Sequence, residues 1–141
     1  MIDIDVRNMD GVLAAIEKLG DTTEVRQALG KACAVVERAA KEKAPKDTGE
    51  LRRSITSKVE ERDGKIEGVI FTPLEYAPYV EYGTGLFAEQ GGRKDVPWNY
   101  QDDKGEWHRT SGQHPQPFMR PALNENREQI ARIIKEALNN G

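Results

Sequence analysis

The residue types able to carry chemistry are few, and their spacing does little to gather them. His108 and His114 stand in the second half of the chain, Cys33 is the single cysteine, and Asp102 and Asp103 are neighbours. A metal site draws its ligands together through short fixed spacings, such as paired cysteines or two histidines one helical turn apart, and these residues have none. Neither a metal nor a cofactor is expected. Asp102 and Asp103 read as a polar turn; as a catalytic carboxylate pair they lack a neighbouring base, nucleophile or apolar pocket in the sequence. Ser54 and Ser111 lack the strained glycine-flanked turn that exposes a nucleophilic serine. The expectation is a protein without catalysis. The rival of a different class is a small hydrolase, or a nucleic-acid-binding regulator, using His108 and Asp102.

Charge argues against a nucleic-acid protein. The chain has 24 acidic and 21 basic residues, a formal charge of -3. That leaves no overall field to hold a polyanion by counterion release. Arg38, Lys41, Lys43, Lys46, Arg52, Arg53 and Lys58 make one stretch locally basic, but Glu37, Glu42, Asp47 and Glu50 interleave with them, so it reads as a solvated face. At most it would make transient phosphate contacts without reading sequence. At 141 residues one compact domain, 1–141, is expected. Hydrophobic residues make up 37% and charged residues 32%, which suggests neither membrane insertion nor wholesale disorder. One cysteine cannot form an internal disulfide, and the opening MIDIDVRNMD lacks the basic and apolar regions of a secretory signal, so folding in a reducing cytoplasm is the expectation.

The elements that would position these residues follow from periodicity. Ile2, Ile4 and Val6 alternate with polar residues and predict an edge strand. Asn8 to Asp10 offer helix-start chemistry, and Val12, Leu13, Ile16 and Leu19 before Gly20 predict a short first helix. Asp21 with Glu24 predicts the start of a second helix, whose apolar face Val25, Leu29, Ala32, Cys33, Val36 and Ala40 runs to Ala44-Pro45. At about 1.5 Å per residue, about 22 residues span roughly 33 Å. Ile55 to Val59 and Lys65 to Phe71 predict a hairpin through Asp63-Gly64. A second hairpin would set Trp98 and Tyr100 opposite Trp107 across Asp102 to Gly105. Between the hairpins, Gly85 to Asp95 is glycine-rich and charged and predicts a mobile loop without packing of its own. After Pro121, the residues Leu123, Ile130, Ile133, Ile134, Ala137 and Leu138 predict one long final helix.

Three segments carry unusual punctuation. In Pro45-Lys46-Asp47-Thr48-Gly49-Glu50-Leu51-Arg52-Arg53-Ser54-Ile55, proline stops the long helix, Asp47 would cap a new turn with Glu50 at its third position, and Leu51 and Ile55 would point inward. Arg52 and Arg53 would stay at the surface, within reach of a neighbouring subunit. In Tyr76-Ala77-Pro78-Tyr79-Val80-Glu81-Tyr82-Gly83-Thr84-Gly85, proline opens a helical turn and glycine closes it, with Tyr76, Tyr79 and Val80 on one face. The plain reading of that turn is core packing around a carboxylate, Glu81, which would need a partner such as Arg52, Arg53 or Arg120. In Pro115-Gln116-Pro117-Phe118-Met119-Arg120-Pro121-Ala122, an extended entry fixes Phe118 ahead of the last helix.

In this order the three segments resemble the family of phage neck or tail-completion proteins typified by the gp10 protein of phage HK97, over roughly residues 20 to 138. The resemblance implies an α+β fold: an antiparallel sheet packed against a long α-helix, with a C-terminal helix. It implies a structural virion component, made in the bacterial host cytoplasm, that joins head and tail at the neck or tail end. Work would be done by ring assembly, with partners that are copies of the chain itself, a head-connector or head-closure protein, and a tail terminator or tail tube protein. Genomic DNA would only pass through, and no membrane is involved. The residues that carry the resemblance, and the candidate interface, are Pro45, Asp47, Thr48, Gly49, Leu51, Arg52, Ser54, Tyr76, Ala77, Tyr79, Val80, Glu81, Gly83, Thr84, Pro117, Phe118, Arg120, Pro121 and Ala122. The alternative within the same class is a tail terminator or another minor tail assembly protein.

Overall fold

The computed structural model describes residues 2–7, 9–15, 22–46, 49–89, 96–102 and 104–139. In chain order the elements are β1 (Ile2–Arg7), β2 (Asp10–Ala15), α1 (Thr23–Lys43), α2 (Glu50–Ser54), β3 (Thr56–Arg62), β4 (Lys65–Phe71), α3 (Ala77–Tyr82), a 3-10 turn (Gly85–Phe87), β5 (Trp98–Gln101), β6 (Trp107–Thr110), α4 (Met119–Asn124) and α5 (Arg127–Asn139). They fall into two compact units, one made of Met1–Leu74 with Phe118–Gly141 and the other of Glu75–Pro117.

The first unit is the α+β arrangement expected from the sequence. Its sheet runs β1-β2-β4-β3 with every neighbour antiparallel, so β1 is a strand, as its alternation predicts, and an edge strand, as its place at the terminus predicts. Arg62 pairs with Lys65 across Asp63 and Gly64, whose φ angles of 52° and 78° make the type I′ turn of a tight hairpin. β2 corrects the expected first helix. Val12 and Leu13 are both buried, at 3% and 0% exposure, although successive side chains in a strand point to opposite faces. A central strand buried on both faces reads as a continuous apolar run, and this one mimics a helical stripe. Ile16 to Gly20 lie outside the described residues.

α1 is the spine. Its cap is Thr22, whose hydroxyl accepts from the Val25 amide at 3.1 Å; Asp21, the expected cap, lies outside the described residues. Glu24 in the first turn and Lys41 and Lys43 in the last suit the helix dipole, and the helix stops where Pro45 has no amide to continue it. Val25, Ala28, Leu29, Ala32, Cys33, Val36 and Ala40 form the buried stripe, which rests on the sheet and on α4 and α5. Each large side chain so buried contributes about 1.5–3 kcal/mol. The small residues let the backbones close up: a β-carbon at Gly68 of β4 would overlap Cys33 Sγ.

The final helix is broken in two. It starts at Met119, and Pro121 occupies its third position, where the missing amide would have no intrahelical partner anyway. The Asn126 side-chain amide then donates to the Ala122 carbonyl at 2.7 Å, taking the acceptor that its own backbone amide would use in a continuous helix. α5 restarts one residue later and buries Ile130 and Ile134, with Ile133 and Ala137 half-buried. The Leu138 side chain lies outside the described set.

The second unit is built on short elements. Pro78 sits in the first turn of α3, and Gly83 ends it at φ 84°. Gly85, expected to open a mobile loop, is buried and begins the 3-10 turn; residues 90 to 95 lie outside the described set. β5 and β6 form the second hairpin in a different register from that expected. Tyr100 faces His108, Gln101 faces Trp107 and Trp98 faces Thr110. The turn is one residue longer than the sequence suggests, because Glu106 is drawn into it: Asp102 donates its amide to the Glu106 carbonyl at 2.9 Å and accepts the Glu106 amide on Oδ1 at 2.8 Å.

Candidate interaction surfaces

The corner after α1 is held by backbone hydrogen bonds together with the side chains of Arg52 and Ser54. Pro45 is half-buried, and Asp47 and Thr48 lie outside the described residues. α2 begins at Glu50 with Gly49 as its cap at φ 75°, a left-handed conformation that glycine adopts without cost, and no side chain caps it. Glu50 is thus the first helical residue and not the third, which corrects the expected Asp47–Glu50 capping box. Leu51 and Ile55 are buried as expected, at 4% and 1% exposure. Arg52 is half-buried and donates from Nε to the Lys41 carbonyl at 3.1 Å, stitching α2 to the end of α1, while Arg53 stays exposed. Ser54 Oγ donates to the Leu51 carbonyl at 2.6 Å and lies 2.6 Å from Thr72 Oγ1. Arg52 therefore holds the corner rather than presenting a free guanidinium.

The second segment splits between core and surface. Ala77 and Glu81 are fully buried, whereas Tyr76 and Tyr79 are exposed, which corrects the reading of these tyrosines as core. No buried side-chain nitrogen or oxygen among the described residues lacks a hydrogen-bond partner, so the Glu81 carboxylate is satisfied. The Val80 carbonyl accepts from the Gln116 amide at 2.8 Å. Thr84 donates its amide to the Gln113 carbonyl and accepts the Gln113 amide on Oγ1, both at 2.9 Å. The extended strap from Ser111 to Gln116 thereby clamps the α3 turn, and the Phe87 and His114 rings lie 3.9 Å apart between centroids. A β-carbon on Gly83 would come within 2.9 Å of two carbonyl oxygens, those of Gln113 and Phe87. In the third segment Pro117 is exposed, Phe118 and Ala122 are fully buried, and Arg120 and Pro121 are half-buried.

Sequence reasoning missed one polar constellation. His108 Nε2 lies 2.7 Å from Asp102 Oδ2, so a base does stand beside the carboxylate, brought there by the hairpin register. Asp102, Glu106 and His108 each offer a ligand-type atom within 4.8 Å of the others. The hydrogen bond from His108 and the amides of Glu106 and Lys104 hold the Asp102 carboxyl below its ordinary value. These groups sit on an exposed turn, and every bond described to Asp102 organises that turn.

The exposed aromatic and aliphatic side chains are the larger surface feature. Tyr76, Tyr79, Leu86, Tyr100 and Trp107 are the exposed large hydrophobics among the described residues, with Trp107 at 69% and Tyr79 and Leu86 at 61%, and all five belong to the unit Glu75–Pro117. On the first unit the sheet face turned away from α1 has the buried Val12 and Val69 at its centre, with charged side chains around them. Arg7 makes a bidentate pair with Glu67, at 3.1 and 2.7 Å, and this holds the buried Glu67 carboxyl below its ordinary value. Lys58 lies 3.1 Å from Glu60 and over the Phe71 ring at 5.1 Å. No helix among the described residues is long and apolar enough to cross a membrane.

A family model described as "Bacteriophage HK97-gp10, putative tail-component" matches residues 10–83, from β2 through α3 and just over half the chain. No curated protein and no solved structure matches significantly. The class is thus that of phage tail components, with a structural role in the particle. The chain belongs to the HK97-gp10-like family.

Proposed function

We propose that this protein completes the neck of a tailed phage or prophage, joining head to tail as a ring of identical subunits around the DNA channel. The observation that carries the reading is the segregation of every exposed large hydrophobic among the described residues to the unit Glu75–Pro117. Exposed large apolar side chains concentrated in one unit, here on both faces of the β5–β6 hairpin as well as on α3, offer surfaces that other proteins can cover. On this reading, Pro45, Gly49, Leu51, Arg52 and Ser54 brace the first unit, and Asp47 and Thr48 belong to the same family motif. Tyr76, Ala77, Tyr79, Val80, Glu81, Gly83 and Thr84 shape the contact surface, and Pro117, Phe118, Arg120, Pro121 and Ala122 anchor the return of the chain into the core. Head-to-tail contacts that close by rotation give the ring. The head-side partner is a connector or head-closure protein and the tail-side partner a terminator or tube protein. The net charge of -3 suits a channel that lets DNA slide by without holding it. The protein is made in the host cytoplasm and ends in the virion. Electron microscopy of particles from a phage lacking this gene tests the reading: unjoined heads and tails, or tails with aberrant ends, are expected, and normal infectious particles would refute it.

A further inference from the structure

The sheet of the first unit ends in two strands of similar length, β1 with six residues and β3 with seven. Among the described residues neither has a backbone partner on its outer side. The Val6 amide shows the consequence, since it turns to the Asp5 carboxylate at 2.8 Å instead of entering a ladder. An unpaired edge of this length is a template for another strand, and natural proteins blunt or use it.

Three phases of the two edges agree. The pair that closes a type I′ turn is hydrogen-bonded, and bonded pairs alternate along an antiparallel ladder. From Arg62–Lys65 the bonded pairs run through Glu60–Glu67 and Lys58–Val69, so Ser57, Val59 and Glu61 direct their backbone groups outward. Carried across β4 and β2 through Leu13–Gly68 and Asp5–Val12, the same alternation leaves Ile4 and Val6 directed outward from β1. In side-chain facing, Ile4, Val6, Ser57 and Val59 share the face that carries α1, and Asp5, Arg7, Lys58 and Glu60 share the other. In direction, four strands with every neighbour antiparallel leave β1 and β3 running oppositely. A copy rotated about an axis along the strands therefore presents its β1 antiparallel to this β3.

We infer that β1 of a second copy pairs with β3 in the register Val6–Ser57, Asp5–Lys58 and Ile4–Val59, so that one sheet runs from subunit to subunit. The inference rests on the ring reading and names the surface that closes the ring. This register uses all of β1, sets the half-buried Ile4 against the half-buried Val59 and Asp5 against Lys58, and has one like-charge position, Asp3 opposite Glu60, where the slide that sets Arg7 on Lys58 has two. Sliding by two residues one way puts Arg7 on Lys58 and Asp5 on Glu60, both repulsive. Sliding the other way runs Val6 and Arg7 past Thr56, the first residue of β3. A slip of one turns every side chain to the wrong face.

Asp5 and Lys58 would form a non-hydrogen-bonded pair between copies, where antiparallel Cα atoms approach to about 4.5 Å and a disulfide fits. The test is the full chain carrying Asp5→Cys and Lys58→Cys, assembled into phage particles, oxidised and run on a non-reducing gel. The native Cys33 does not interfere, because it is buried and burial pushes its thiol up to about 12. A ladder of dimers and higher multimers is expected, with no ladder from either single variant. Charge exchange gives a second reading: Lys58→Glu lowers incorporation about tenfold and Asp5→Lys with Lys58→Glu restores it. Particles that hold the double-cysteine chain wholly as monomer overturn the edge pairing and leave the ring reading standing. Failure of the charge exchange to restore incorporation also overturns it. If the wild-type chain never enters particles, ring and pairing fall together.

Discussion

Replacing Gly68 by alanine tests the seat of the long helix on the sheet. Gly68 pairs with Leu13 on one side and Val59 on the other, on the face beneath α1. A β-carbon there overlaps Cys33 Sγ and lies 3.7 Å from the Leu29 carbonyl oxygen and 3.8 Å from Leu13 Cβ. Cys33 is 1% exposed, so its sulfur has little room to retreat. Overpacking of this kind costs about 1–3 kcal/mol, offset by roughly 0.5–1 kcal/mol because alanine restricts the unfolded chain more than glycine. The expected net loss for Gly68→Ala is about 1–2 kcal/mol, or a Tm lower by roughly 3–8 °C. Cys33→Ala alone removes the sulfur and costs about 1 kcal/mol for the gap. In the double variant the new methyl group fills the space the sulfur left, so the combined loss falls short of the sum by at least about 1 kcal/mol. Urea denaturation followed by circular dichroism on the four proteins closes the cycle. Losses that add within about 0.5 kcal/mol, or a Gly68→Ala protein as stable as wild type, would show that α1 does not sit on β4 as described.

Other outcomes follow from the remaining geometry. Glu67 is held below its ordinary value near 4.5 by its hydrogen bonds to Arg7, so its contribution is complete above that value and disappears as the pH falls through the lower folded value. Glu67→Gln should flatten that part of the Tm against pH curve, and Arg7→Met should move acid unfolding toward neutral pH; curves parallel to wild type would count against the pair. Gly83→Ala places a β-carbon at φ 84° against two carbonyl oxygens and should cost at least about 2 kcal/mol, seen as loss of amide protection at Thr84 and Gln113 in hydrogen exchange. Tyr79→Asp and Trp107→Asp alter exposed side chains and should leave stability within about 0.5 kcal/mol while sharply reducing the amount of protein recovered in purified particles. Full recovery of both variants would remove the argument from exposed apolar surface.

What the sequence made legible was local. α1, the β3–β4 hairpin and the α3 turn each depend on contacts a few residues apart: the apolar stripe ending at Pro45, the Asp63-Gly64 turn, the Pro78 start and the Gly83 stop. β2 is not legible as a strand because cover on both faces sets Val12 beside Leu13, and only the surrounding sheet reveals why both are apolar. The break at Asn126 turns on one side-chain amide competing for the Ala122 carbonyl, and asparagine also occurs inside helices. Register in the second hairpin depended on whether Glu106 belonged to the turn, a choice made by the Asp102 carboxylate. Of the candidate surface, the proline and glycine positions were readable as backbone devices. The exposure of Tyr76 and Tyr79 was not, because their helical face looks the same whether it meets a core or solvent. Asp102 and His108 were brought together by cross-strand pairing, which spacing along the chain does not encode.

A fixed station in the virion is tested most directly by the position of this protein in intact particles. An electron-dense label on the chain, imaged in purified phage, should appear as a single site per particle at the junction of head and tail. Label spread along the tail shaft, or absent from particles that remain infectious, would contradict it.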